Sequence, residues 1–305
     1  MRIDAVSLRL LLPDEGVTEL LTTWPDQPRV YERGRTALDE TITADFLKGY
    51  VFTGCIPANE IAVVKAPGPS LNQNAYMTHG RTDAAKLREL YDNGFTIRLG
   101  NLQRVIPSMT TVSRGIQDET GFSNYVHAFL TPPGSQGLRH HWDQQMAVVV
   151  QTAGIKRWQI WRPPVECPMR EYNESWRVWR DDYIPEWEAA GPDLQVDLQA
   201  GQSLLLPRGW VHNPHVVDQD GDSVHLTFAI RERTPLWLAE KLIAEAIKNP
   251  EFRRIILPGD ITGPSLVDRL QETRDALRGH LSELDLERLA SAVREAAAVE
   301  LEYTI

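Results

Sequence analysis

Two histidines and an aspartate open what reads as an apolar strand in HHWDQQMAVVV, His140 to Val150. In an extended chain, residues i and i+2 project to the same face. His141 and Asp143 therefore point together, and Trp142 points away. An imidazole and a carboxylate so spaced can take adjacent positions on one metal ion. His140 is three residues from Asp143 and faces the other way. The third donor must come from elsewhere, and the best placed is His212 in LLLPRGWVHNPH, at the end of another extended stretch. His215 competes with it, and the PRGW turn favours His212. Two histidines and one carboxylate on one face of an octahedron leave three positions open, as in non-haem Fe(II) oxygenases. Those positions let the iron hold a bidentate co-substrate and still meet dioxygen. His225, in SVHLTF, reads as a strand histidine bonded within the core.

HxD alone is a weak signal, but its setting adds to it. Lys156 lies fifteen residues after His141, in GIKRW, and His212 lies seventy-one after it. A cation projecting into a barrel needs an anion. The far end of an iron-bound dicarboxylate would supply one through charge-assisted hydrogen bonds. The plainer reading of Lys156 is a surface lysine at a strand end.

The elements that must position these groups are mostly strands. MAVVVQTAG and KRWQIWRPP read as two strands joined at Gly154, the first bulky on both faces, as inside a sandwich or barrel. FTIRLGNL, SNYVHAFLT, LQVDLQAGQSLLL and SVHLTFAI have the same character, and Pro132-Pro133-Gly134, Gly201 and Gly209 mark turns. DAAKLRELYDNG reads as a short helix stopped by Gly94. Residues 165–193, rich in Trp and acid, show no clean period and read as an insertion or lid. Its stretch from Trp176 to Trp187 carries Asp181, Asp182 and Glu186, with Glu188 directly after it, and these could receive a cationic peptide; a solvated loop explains them as well. The acidic turn Asp218 to Asp222 lacks the order of a calcium loop. From Pro235 apolar residues recur every three or four positions, predicting a helical domain of roughly seventy residues. Its apolar faces would cover the β domain or a second copy of the chain.

The 305 residues suffice for one large and one smaller domain. A formal net charge of −10 argues against a phosphate-binding surface and suits a basic partner or simple solubility. Two cysteines, neither in a CxxC pair, fit a reducing cytoplasm. No secretion leader or membrane span is expected.

FLTPPGSQGLRHHWDQQMAVVVQTAGIKRWQIW, AGQSLLLPRGWVHNPH and SVHLTF together resemble the JmjC-type, cupin-fold 2-oxoglutarate oxygenases, and within them the ribosomal oxygenases that hydroxylate Arg or His on ribosomal proteins. The resemblance covers residues 94–231 and implies a double-stranded β-helix (a mainly β jelly roll) with flanking helices. Domains at 1–234 and 235–305 follow, the second resembling that branch's dimerisation domain; no winged helix fits in the remaining length. The resemblance implies His141, Asp143 and His212 as ligands of Fe(II), and Lys156 and Thr227 as partners of the distal carboxylate of 2-oxoglutarate. Phe129 falls where relatives often have a Tyr that reaches the same carboxylate. His127 falls where they commonly have Asn, and Ala229 where some have a substrate-contacting Ser. The implied activity is 2-oxoglutarate- and O2-dependent hydroxylation of a protein or peptide side chain, releasing succinate and CO2. The substrate would be a ribosomal protein or a natural-product precursor peptide. Alternatives are a cupin that binds metal or ligand without catalysis, and a cupin isomerase or hydrolase, which commonly uses three or four histidines and has no need of Lys156.

Overall fold

The computed structural model describes residues 5–169 and 182–299. Twelve strands are present among them: β1 (Arg29–Glu32), β2 (Ile61–Val64), β3 (Met77–Thr78), β4 (Arg81–Thr82), β5 (Thr96–Leu99), β6 (Asn124–Thr131), β7 (Met146–Ala153), β8 (Ile155–Trp161), β9 (Leu194–Gln199), β10 (Gln202–Leu206), β11 (Val211–His215) and β12 (Ser223–Ile230). Seven form one sheet in the order β1-β10-β7-β12-β6-β5-β2, and three form a second in the order β11-β8-β9. β3 and β4 make a separate hairpin. All pairings are antiparallel.

The valine run explains the centre of the large sheet. β7 is buried at seven consecutive residues, Met146 to Thr152, and β12 at all eight of its own. β-Branched side chains suit a pleated surface covered on both faces. β8 alternates instead, with Lys156, Trp158 and Ile160 buried. Its inward face packs with Ala147, Val149, Leu204 and Leu206 of the large sheet into one apolar cluster that also takes in Trp210. Lys156 and Trp158 thus point between the two sheets.

Gly154 makes the change of sheet possible. β7 and β8 are consecutive, yet they belong to different sheets, so the chain turns sharply with Gly154 at φ +65°. A Cβ here would lie 2.4 Å from the Asp222 carbonyl oxygen. Gly154→Ala combines a left-handed backbone with a clash against main chain, and should cost about 2–3 kcal/mol. Thermal melting that leaves the midpoint unmoved would contradict this.

The chain divides into two compact units: residues up to 120 with 124–231, and residues 121–123 with those from 232 onward. The second unit holds helices Pro235–Ala244, Pro258–Thr262, Leu266–Ser282 and Leu286–Val299. Thr234 starts the first of these, its hydroxyl accepting from the Trp237 amide at 3.3 Å, with Pro235 at the first position. No helix among the described residues is long and apolar enough to cross a membrane.

Two expectations need correction. The HxD segment does not open β7, which starts three residues after Asp143. His141 instead forms an isolated antiparallel bridge with His212, and the Gly209 amide donates to the Asp143 carbonyl at 2.9 Å. The segment pairs toward β11 before the chain enters the large sheet. Within the supposed aperiodic insertion, Tyr183–Ala190 form a helix; residues 170–181, including Trp176 and Asp181, lie outside the described residues.

Candidate metal centre

The bridge sets the site's geometry. Each of His141 and His212 donates its amide to the other's carbonyl, at 3.1 and 2.8 Å. Two backbones locked this closely put their rings 4.1 Å apart, centre to centre. The Nδ1 of His141 lies 2.8 Å from the Arg139 carbonyl oxygen, and that of His212 lies 2.9 Å from the Trp210 carbonyl oxygen. A carbonyl only accepts, so each Nδ1 carries a hydrogen, and Nε2 is the nitrogen that can offer a lone pair to a metal. Asp143 Oδ2 is 3.8 Å from His212 Nε2. One donor atom from each of the three residues lies within 4.8 Å of the other two.

This donor set fits a divalent metal. Two imidazole Nε2 atoms and a carboxylate oxygen converging on one point suit a shared cation. Burial first, then the neighbouring His141, lowers His212 to about 4, so its imidazole is neutral, as a ligand must be. The Nδ1–carbonyl bonds are the outer contacts that commonly orient metal-bound histidines. His212 is 2% exposed, whereas the Asp143 side chain is 44% exposed, so one side of the centre opens outward.

The other histidines fall elsewhere. His140 is buried on the opposite side of its strand segment, against Trp161 and Trp187, with ring centres 4.8 and 6.1 Å away. His215 is three residues from His212 on β11, next to Arg157 and Asp197, and does not join the cluster. His225 is buried as expected but stacks on Phe129 at 4.6 Å, and its Nδ1 makes no hydrogen bond.

A cavity of about 290 Å³ adjoins the three donors. Lys156 enters it fully buried, Nζ 2.7 Å from the Thr131 hydroxyl, which in turn accepts from the Thr96 hydroxyl at 3.0 Å. No carboxylate among the described residues pairs with this lysine, and burial lowers it to about 7. Thr227, Phe129 and His127 line the same cavity. Register explains why: Thr227 pairs with His127 and His225 with Phe129 across β12 and β6, all on the cavity face. Phe129 brings no hydroxyl to the lysine; Thr131, two residues on and on the same face, does. Thr131 and Arg98, which also lines the cavity, were missed in the sequence, although strand alternation from Phe129 and from Thr96 points to both.

Residues 98–236 match the model of the JmjC domain. The chain is 30% identical over 231 residues to ribosomal oxygenase 1 of Danio rerio, covering 72% of this chain and 41% of that protein. It is 30% identical over 159 residues to the bifunctional lysine-specific demethylase and histidyl-hydroxylase NO66 of Drosophila persimilis, covering 52% and 22%. The chain thus spans less than half the length of these relatives. A solved structure of YcfD, a ribosomal oxygenase from Escherichia coli in complex with cobalt and 2-oxoglutarate, superposes with TM-score 0.53 over 87% of this chain and 67% of that one, at 15% identity. At that identity the match speaks for the fold alone. The two sheets are those of a JmjC-type cupin fold, and residues 98–236 carry the match to the JmjC domain. The chain is similar to the ribosomal oxygenases over that region.

Proposed function

We propose that the chain is an Fe(II)- and 2-oxoglutarate-dependent hydroxylase acting on an amino-acid side chain of a protein or peptide. One observation carries the reading: a two-histidine, one-carboxylate cluster and a buried lysine without an anion share one cavity. The first suits iron with open positions. The second suits the far carboxylate of a dicarboxylic acid.

When bound, iron and 2-oxoglutarate supply the oxidising chemistry, consuming dioxygen and releasing succinate and CO2. The protein's part is binding and exclusion. His141, Asp143 and His212 hold the metal, and their Nδ1–carbonyl bonds fix the two rings. Lys156 and the Thr131 hydroxyl hold the distal carboxylate, with Thr227 on the same wall. Val149, Trp158 and Leu206 form the apolar side that keeps water out. Succinate formation that requires both Fe(II) and 2-oxoglutarate tests the proposal. A +16 Da product on ribosomal proteins, or on precursor peptides encoded near the gene, would identify the substrate.

The lysine gives the binding step a pH dependence. Burial holds Lys156 near 7, so before the dianion binds the ammonium loses its proton as pH rises through that value. The dianion needs the charged form. Its affinity should therefore fall above pH 7, approaching about tenfold per pH unit. Calorimetry under nitrogen should show this in the parent protein and not in Lys156→Met. A flat parent profile between pH 6 and 9 would contradict it.

We further propose a homodimer through the C-terminal helices. Leu236, Leu238, Val267, Leu270 and Leu286 are large apolar side chains left exposed there, and a second copy would cover them. Leu270→Glu should convert a dimer seen by light scattering to monomer; a monomeric parent would remove this part. Two free, exposed thiols, Cys55 and Cys167, support a reducing compartment such as the cytoplasm.

A further inference from the structure

Arg98 is the charged group of this cavity that the reading above leaves unused. β5 alternates, with Thr96 and Arg98 facing the cavity and Ile97 and Leu99 facing away. In the sheet Arg98 lies between Ala62 of β2 and Phe129 of β6. Neither neighbour carries a charge. Its Nε is buried without a hydrogen bond, and among the described residues no carboxylate forms an ion pair with its guanidinium. A guanidinium is always charged and offers five N–H donors and no acceptor.

His127 adds a second donor on the same wall. Its Nδ1 accepts the Asn101 amide N–H at 3.2 Å. The neutral ring therefore carries its proton on Nε2. Tyr125, two residues before it on the same face, donates its hydroxyl to Gln145 Oε1 at 3.0 Å. That hydroxyl is engaged, so the wall beyond the metal cluster offers an entering group the Arg98 guanidinium and the His127 Nε2–H.

The charges of the loaded site point the same way. Fe(II) with Asp143 carries one net positive charge, and the 2-oxoglutarate dianion with Lys156 carries one net negative charge. Those four are balanced. Arg98 remains as one uncompensated positive charge in a largely apolar wall, a costly state unless an anion joins it.

We propose that Arg98, with the His127 Nε2–H, recognises a carboxylate on the substrate, so that the hydroxylated residue is acidic or lies at a free C-terminus rather than being a cationic arginine or histidine. This rests on the hydroxylase reading. A guanidinium and a carboxylate make paired, parallel hydrogen bonds, which would hold the target carbon in one orientation beside the metal cluster. An arginine side chain entering the same space would meet a like charge and donors facing donors.

The test uses the full chain loaded with Co(II) and 2-oxoglutarate, its visible absorption read as probes are added. The probes are the N-acetyl, N-methylamide derivatives of Asp, Glu, Asn, Arg and His, and N-acetylglycine as a free C-terminal carboxylate. At least one carboxylate probe should bind tenfold or more tighter than the Asn, Arg and His probes. Which one wins separates a side chain from a chain end. Arg98→Gln should remove that preference, and Arg98→Lys should keep part of it, with 2-oxoglutarate binding unchanged in both. Equal or tighter binding of the Arg or His probe, no response to any carboxylate probe, or an unchanged preference in Arg98→Gln overturns the proposal. Loss of 2-oxoglutarate binding in Arg98→Gln overturns it too, by giving Arg98 to the co-substrate. A parent protein whose spectrum ignores 2-oxoglutarate itself would mark a different failure, that of the hydroxylase reading.

Discussion

Replacing His212 with alanine is expected to abolish iron-dependent succinate formation, and so is replacing His141. The expected loss exceeds about 100-fold, the upper cost of losing even an outer partner of a metal ligand. Both imidazoles present Nε2 because a carbonyl oxygen claims each Nδ1. Both are held by the backbone bridge between residues 141 and 212. His140→Ala and His215→Ala are the controls. His140 packs against Trp161 and Trp187, and His215 sits beside Arg157 on the far side of β11, so each variant keeps most turnover. Activity surviving in His212→Ala but lost in His215→Ala would mean that the bridge positions the wrong ring. The amide-to-carbonyl contacts belong to the backbone and survive both alanine substitutions, so a well-folded, inactive His212→Ala isolates the imidazole's contribution.

Lys156→Ala acts on the other half of the cavity. Truncating one partner of a buried, hydrogen-bonded charge pair costs about 2–5 kcal/mol, so the 2-oxoglutarate requirement should rise by at least about thirtyfold. Iron binding should change little, because Lys156 Nζ bonds to Thr131 and no metal-cluster residue. The same lysine destabilises the protein before the dianion arrives. Its native pKa, about 7, lies below the ordinary lysine value, so between pH 7 and about 10 the unfolded chain binds the extra proton. Stability therefore rises with pH across that window. Lys156→Met should melt higher than the parent at pH 7 without 2-oxoglutarate, and the difference should shrink when 2-oxoglutarate is added. Equal 2-oxoglutarate affinity in parent and variant would remove Lys156 from the binding site.

Much of this was legible because metal ligands obey short-range geometry. The i, i+2 rule selects His141 over His140, and a Gly-turned strand end selects His212. The cluster brings together those three and leaves out the competitors. The apolar run and its glycine predicted two strands meeting at Gly154, and both formed. What one strand's pattern does not carry is which sheet it joins. β7 and β8 part at Gly154, and the HxD segment turns to pair with β11, because long-range pairing decides both. Thr131 escaped for a related reason. Its hydroxyl matters only once β8 delivers Lys156 to within 2.7 Å of it, twenty-five residues along the chain. Arg98 escaped because a lone arginine in a strand looks like any edge cation until its neighbours prove uncharged. Departures such as Phe129 and His127 were visible as residue types, but their consequence needed the register that sets them against His225 and Thr227.

His141, Asp143 and His212 are proposed to hold one iron beside a place for 2-oxoglutarate. Anaerobic titration of the purified chain with Fe(II), then with 2-oxoglutarate, tests it most directly through visible absorption. A weak charge-transfer band is expected that appears only with both additions, saturates at one iron per chain, and is missing in His212→Ala and Asp143→Ala. No band in the parent protein, or a band undiminished in His212→Ala, would contradict it.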